Sequence, residues 1–374
     1  MNTIFKYSRT KAVISFLFLI TSSAKSEGLN DGNELQFKIL SYNKISPILR
    51  MISDKMKNNY DSIKYWEGKV DSEVNYIYEG KNADRIFTND TMAIGEVPKR
   101  IMNHAESSIE FSLDAKDDRL FVYRFFNKKI QYIDFDTGRD LGTKGLPGEE
   151  KAILTKEYYI KCRATQRQNG VIIKQQAIKE KLSDCTHCQN PPIFDPRESF
   201  KEGRPVWETV QIILDKLDKK GEWKIGAYDL KVEECNDKGI MKYQIIMPGK
   251  ISEGDIVLSK MVFSCDKGFN ITFFQVSDVN GKVFQKATWD YELKDGIYLP
   301  KETLQQNYTG EKANLSYSIK SIFKNLKLNY PIQEEIFSYK NLGLKNGDKF
   351  VDKIEGKEYT YQEGNLIPLT EPNK

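Results

Sequence analysis

Histidine is nearly absent from this chain: its 374 residues include two, His104 and His187. A Ser-His-acid triad would have to use one of them, and neither sits beside a recognisable nucleophile motif. G-x-S-x-G, H-E-x-x-H, G-x-x-x-x-G-K-[ST] and a G-x-G-x-x-G following a strand are also missing, which removes the common hydrolase, zinc-protease and nucleotide-binding signatures. An excess of one charge is lacking too: 57 Lys and Arg stand against 53 Asp and Glu, a formal charge of +4. Nucleic acid is therefore not an expected partner, because phosphate binding needs clustered positive charge. Paired carboxylates do occur, as Asp117-Asp118 and Glu334-Glu335. They are common on solvated turns, and spacing alone does not set two of them across a cleft.

Long apolar runs are equally scarce. The longest notable one, Ala12 to Ile20, is too short to span a bilayer. It follows the basic Lys6, Arg9 and Lys11 and precedes the small residues Ser22-Ser23-Ala24, the layout of a cleavable secretory signal over 1–24. No Cys stands at the cleavage site, so no lipoprotein acylation signal is present. The expectation is an exported, periplasmic or otherwise secreted protein that is not an integral membrane protein. Its formal charge would fall to about +1 once those three basic residues are removed.

Cysteines number five: Cys162, Cys185, Cys188, Cys235 and Cys265. In an oxidising compartment some are expected to pair, and an odd number leaves one over. Cys185-Thr186-His187-Cys188 reads as a redox pair, a zinc half-site or a local disulfide. Haem attachment is excluded because Gln189 stands where His is needed. Zinc would need two further ligands, and the only other histidine is His104. A thioredoxin-like unit would need a βαβ pattern, whereas Asn190 to Pro196 reads as loop. A structural disulfide at Cys185 and Cys188 is the favoured reading. Cys235 and Cys265, in neighbouring predicted strands, are further candidates, and no metal or cofactor is expected.

What the chain does have is β pattern. Trp289, Tyr291 and Leu293 alternate with Asp290, Glu292 and Lys294 up to Asp295-Gly296, the signature of a half-buried strand entering a tight hairpin. Leu315, Tyr317 and Ile319 repeat the alternation, and the phase then slips to Ile322, Leu326 and Leu328, as a bulge requires. Strands are predicted at 69–78, 107–114, 119–126, 129–135, 158–167, 170–177, 228–235, 241–247, 255–265, 269–276 and 283–293, with a Gly/Pro loop at 143–150. Two amphipathic helices interrupt them. One starts at Ser46-Pro47, with Ile48, Leu49, Ile52, Met56 and Tyr60 on helical spacing; the other starts at Pro205, with Val206, Val210, Ile213, Leu214 and Leu217 on one face, and stops near Gly221. The fold class is thus mainly β (α+β): a curved antiparallel sheet or unclosed barrel whose concave face is covered by amphipathic helices. A flexible lead-in at 25–42, one large domain at 43–352 with an insertion near 180–222, and a tail at 353–374 complete the organisation.

The first helix followed by Trp66 to Val74 (WEGKVDSEV), together with Tyr298-Leu299-Pro300, Gln306 to Gly310 (QNYTG) and Ser318 to Phe337 (SIKSIFKNLKLNYPIQEEIF), resembles the superfamily of periplasmic lipoprotein carriers and receptors. The likeness covers residues 44–79 and about 285–345; the middle segment with Cys185 to Cys188 has no counterpart. The resemblance implies a non-enzymatic half-barrel with an apolar cavity for a lipid or lipoprotein acyl chain, whose burial is worth about 0.8 kcal/mol per CH₂. Phe111, Phe121, Phe125, Phe274, Trp289 and Tyr291 would line or fill the concave face, and the helix carrying Ile48, Ile52 and Met56 would be its lid. An envelope sensor or scaffold binding a protein partner, and a secreted hydrolase using loop carboxylates, are the alternatives.

Overall fold

In a computed structural model of the chain, the described residues are 35–90, 95–144, 148–166, 172–181, 196, 206–251, 254–310 and 313–369. Three helices lie among them: α1 (Tyr42–Asp61), α2 (Lys81–Asp90) and α3 (Val206–Lys220). Strands β1 (Lys38–Ile39), β2 (Tyr65–Glu79), β3 (Arg100–Asp114), β4 (Arg119–Asp134), β5 (Asp140–Lys144), β6 (Gly148–Leu154), β7 (Tyr158–Gln166) and β8 (Ile172–Lys181) precede α3. After it come the short β9 (Lys224–Ile225) and β10 (Tyr228–Asp229), then β11 (Lys231–Asp237), β12 (Ile240–Lys250), β13 (Ile256–Ser264), β14 (Ile271–Asp278), β15 (Val283–Lys294) and β16 (Ile297–Thr309). Strands β17 (Asn314–Leu328), β18 (Lys349–Asp352), β19 (Lys357–Gln362) and β20 (Asn365–Pro368) close the order. The mainly β, antiparallel class expected from the sequence is the class observed.

Contacts divide the chain into two compact units. One unit comprises Lys64–Pro196 and Phe323–Lys374; the other takes Arg197–Ile322 and the segment ending at Ile63. In the first unit β2, β3, β4, β6, β7 and β8 pair antiparallel in succession, and β18 then joins β8 in parallel, Phe350 opposite Ala177. Register fixes a cross-strand row on one face: Trp66, Leu113, Leu120, Leu154 and Tyr159 stand opposite one another and all are buried. The other face buries Ile153, Ile160, Cys162 and Ala177 against Phe337, Leu342, Leu344 and Phe350. Residues 357–368, read from sequence as tail, supply the β19–β20 hairpin.

The second unit is an antiparallel meander from β11 to β16, with β1 on the edge of β11. Asp295 and Gly296 have φ of 51° and 78°, both positive as a two-residue turn matched to strand twist demands. Further along β16 the register steps between Asp290 and Tyr291, which face Glu302 and Pro300, so Lys301 is the extra residue of a bulge beside the proline. The expected phase slip in β17 is present, but its buried apolar residues are Phe323, Leu326 and Leu328, which belong to the first unit, and Ile322 is only half-buried. Asn325, at φ 53°, supplies the irregular step.

Several boundaries differ from expectation for local reasons. Helix α1 begins at Tyr42, because Ser41 already closes the first turn through its carbonyl to Lys44 N at 2.9 Å. Pro47 then lies inside the helix rather than at its first position. The strands predicted at 119–126 and 129–135 are one strand, Arg119–Asp134, because β4 exchanges partners along its length, Phe126 facing Gly148 of β6 and Ile130 facing Lys144 of β5.

The candidate pairing of Cys235 with Cys265 is not formed; both are free thiols, as is Cys162. Cys235 faces Lys242 on β12, and Lys242 faces Ser264, the neighbour of Cys265, so a whole strand intervenes. Two inter-strand spacings are about 10 Å, beyond the Cα separation of about 7 Å that a disulfide tolerates. Cys185 and Cys188 lie outside the described residues. Alkylation of the denatured protein is expected to label Cys162, Cys235 and Cys265 alike; a cross-linked Cys235–Cys265 peptide in the mass spectrum would contradict this placement.

Candidate functional site

Strand alternation sorts the aromatic residues expected to line a cavity. In the first unit Phe111 faces Val122, while Phe121 faces Ser112 and Phe125 faces Ser108, so Phe111 lies on the opposite side of the sheet from the other two. Phe111 is buried edge-on against Trp66, with ring centroids 5.2 Å apart. Phe121 packs half-buried on the cluster around Ile160, and Phe125 is exposed. These three therefore do not share a wall. In the second unit, by contrast, Phe274, Trp289 and Tyr291 are brought together on one buried face.

That face is built by register. Val232, Ile245, Met261, Phe274 and Ala287 stand opposite one another across β11 to β15 and are all buried. Trp289 and Tyr291 extend the same side along β15 by the two-residue period. Tyr291 donates its hydroxyl to Ile271 O at 2.9 Å, and burial pushes its phenol well above the usual tyrosine value. A neutral, internally bonded hydroxyl leaves this face apolar.

The helices α1 and α3 of the same unit bring the matching apolar stripes. Ile45, Leu49, Ile52 and Met56 are buried on α1, and Val206, Val210, Ile213, Leu214 and Leu217 on α3. Ile48, expected in the lid stripe, is half-buried, one position off the line that Ile45, Leu49 and Ile52 define. The helices hold each other: Ser53 Oγ donates to Trp207 O at 3.2 Å, the rings of Tyr60 and Trp207 lie 4.5 Å apart, and Tyr42 donates its hydroxyl to Gly221 O just past α3. Helix α1 meets the sheet at β16, where one side chain makes a double clasp. Asn59 Nδ2 donates to Tyr298 O at 2.9 Å, and Tyr298 N donates to Asn59 Oδ1 at 2.7 Å. Asn59 was not singled out from the sequence, where the available signal is a polar residue inside an apolar helical stripe.

Two clefts on the first unit are charged. One of about 640 Å³ is lined by Glu79, Lys99, Arg100, Asp134, Asp136 and Thr137. Arg100 pairs with Asp136, and hydrogen bonds from Thr137 and from the amides of Asp136 and Thr137 hold the Asp134 carboxyl below the usual carboxylate range. The other, of about 320 Å³, lies among Glu180, Lys181, Lys353 and Ile354. Of the candidate catalytic residues, His104 is held by Asn75 Oδ1 at 2.7 Å, and Asp117 and Glu334 both salt-bridge Arg119. His187 is outside the described residues. Among the described residues no group of three or more His, Cys, Asp or Glu side chains is placed to hold a metal ion, and no helix is long and apolar enough to cross a membrane.

No family model matches the chain, and a search of curated proteins finds no relative. Solved structures do match. The chain is similar to structures of the LolA superfamily. One is a LolA superfamily protein from Nitrosomonas europaea, with 8% identity, a TM-score of 0.33, and coverage of 79% of this chain and 99% of that one. A domain assigned to outer membrane lipoprotein sorting in Vibrio parahaemolyticus matches at 10% identity and a TM-score of 0.30, over 81% and 99% of the two chains. A DUF1329 family protein from Desulfovibrio piger matches at 11% identity and a TM-score of 0.36, over 79% and 98%.

Proposed function

We propose that the protein is an exported, non-enzymatic binding protein that holds a lipid or lipoprotein acyl chain against the sheet face bearing Phe274, Trp289 and Tyr291, beneath the pair of helices α1 and α3. The observation that supports this reading is the way α1 is attached. Its apolar stripe is buried like a core helix, and Asn59 adds a two-bond polar clasp to Tyr298 on β16. An apolar face covered by a helix pair that is joined to itself, with a polar clasp that can open at Asn59, suits reversible acyl binding. The N-terminal pattern of basic, apolar and small residues supports export.

The test is uptake of a fluorescent fatty-acyl probe by the wild-type protein and two variants. Asn59→Ala removes both hydrogen bonds, each worth about 0.5–1.5 kcal/mol net. Probe entry is expected to quicken, with faster hydrogen exchange confined to α1 and α3. Trp289→Lys is expected to abolish uptake while far-UV spectra stay native, since a charge in an apolar site costs several kcal/mol. Native mass spectrometry of gently extracted protein is expected to find co-purified lipid. Folded wild-type protein that takes up no probe and carries no lipid would overturn the proposal.

A further inference from the structure

The side of the second unit's sheet opposite Phe274 carries basic residues arranged around an aromatic ring. Lys260 faces Gln275 and Gln275 faces Lys286, so the two lysines flank one row across three strands. Phe273, two residues from Gln275, lies on the same side. Both ammonium groups reach over its ring, Lys260 Nζ at 5.9 Å and Lys286 Nζ at 5.8 Å from the centroid. Lys282 lies over Phe284 in the same way at 5.3 Å.

Three carboxylates on this side are already engaged: Asp290 pairs with Lys267 and Lys301, Glu302 with Lys320, and Glu233 accepts from Gln244. Among the described residues no ion pair is made by Lys260, Lys282 or Lys286. Two like charges gathered on one ring repel each other, and the ring's quadrupole offsets this only in part. A bound anion would complete the arrangement. Half-buried rings set between cations suit a planar layer of phosphates with an apolar interior beneath it, since aromatic rings favour the headgroup level of a bilayer and each nearby lysine is attracted by anionic lipid.

We infer that this sheet face is a peripheral docking surface for a bilayer carrying anionic phospholipid. It stands apart from the acyl-binding reading: surface docking uses Lys260, Phe273 and Lys286, none of which lies on the Phe274 side. The experiment is co-sedimentation of the full chain with vesicles of phosphatidylcholine containing phosphatidylglycerol, against phosphatidylcholine alone. Binding is expected only with the anionic vesicles, and raising salt from about 0.01 to 1 M, which shortens the screening length from about 30 to 3 Å, is expected to release it. Neutralising one lysine should weaken binding about fivefold, and Lys260→Gln with Lys286→Gln together about thirtyfold. The control pair Lys64→Gln with Lys116→Gln, which changes net charge equally on the other unit, should leave it within about twofold by the same scale. Equal binding to neutral vesicles, equal loss in the control pair, or no vesicle binding at all would overturn the inference, the last result pointing to an acidic protein partner.

Discussion

Trp66→Ala is expected to destabilise the first unit by about 3–5 kcal/mol, the range for emptying a buried aromatic site. Trp66 is fully buried at the head of the row that runs through Leu113, Leu120 and Leu154. Its indole meets Phe111 edge-on and stacks on Phe323 at 6.3 Å with planes 18° apart. The surroundings have little freedom to collapse into the gap, because three strands hold these side chains in register. Gly68, two residues on, marks how tight the site is: a Cβ there would meet Leu326 Cδ2 at 2.5 Å and Phe111 Cζ at 3.0 Å. Overpacking of that kind costs about 1–3 kcal/mol, so Gly68→Ala should be destabilising as well. Whole domains are stable by about 5–15 kcal/mol, so the tryptophan change removes a large share. Urea unfolding followed by far-UV circular dichroism measures both; a loss below about 1 kcal/mol for Trp66→Ala would show that the row is not the core of this unit.

Arg119→Met should cost a comparable amount, about 3–5 kcal/mol, by stranding a buried charge. Asp114 is 2% exposed and takes its counter-charge from Arg119 Nη2 at 2.6 Å. The amides of Lys116 and Asp117 also donate to Asp114, at 3.1 and 3.0 Å, which is why the carboxylate can sit there at all. The same guanidinium binds Glu334 through both terminal nitrogens and lies over the Phe337 ring at 4.6 Å, fixing the turn Glu334–Phe337 to the β3–β4 hairpin. Asp114→Asn combined with Arg119→Met should recover part of the loss, since no unpaired ion then remains. The hydrogen bond from Arg119 outweighs desolvation and holds the Glu334 carboxyl below its ordinary value. Its contribution is therefore present above the unfolded glutamate pKa and is lost as pH falls through the lowered folded value. Acid titration of stability should flatten in Glu334→Gln; an unchanged profile would remove Arg119–Glu334 from the account.

Local signals carried much of this fold. The Asp295-Gly296 hairpin, the strand ending at Lys294 and the helix beginning at Val206 are written in turn chemistry and in the periods of two and 3.6 residues. Pairing between distant segments is not written that way. Nothing local to Ile172–Lys181 or Lys349–Asp352 says that they meet in parallel, whereas the strand predicted at 241–247 already stands between Cys235 and Cys265. For the candidate site, Trp289 and Tyr291 follow from alternation in one strand. The separation of Phe111 from Phe121 and Phe125 was also within reach, because the turn that sets Asp114 opposite Arg119 sets Phe111 opposite Val122. Asn59 acts through Tyr298, 239 residues away, and only the fold brings them together.

The parallel pairing of β8 with β18 also has a bearing on how the chain is made. Lys179 and its partner Asp352 are 173 residues apart, with most of the second unit encoded between them. At about 5–20 residues per second, a ribosome would leave the outer edge of β8 uncovered for about 10–35 seconds before β18 emerged. The first unit thus cannot be completed during synthesis until the last strands are out, and a nascent chain halted short of Lys349 would present an open β edge to its neighbours.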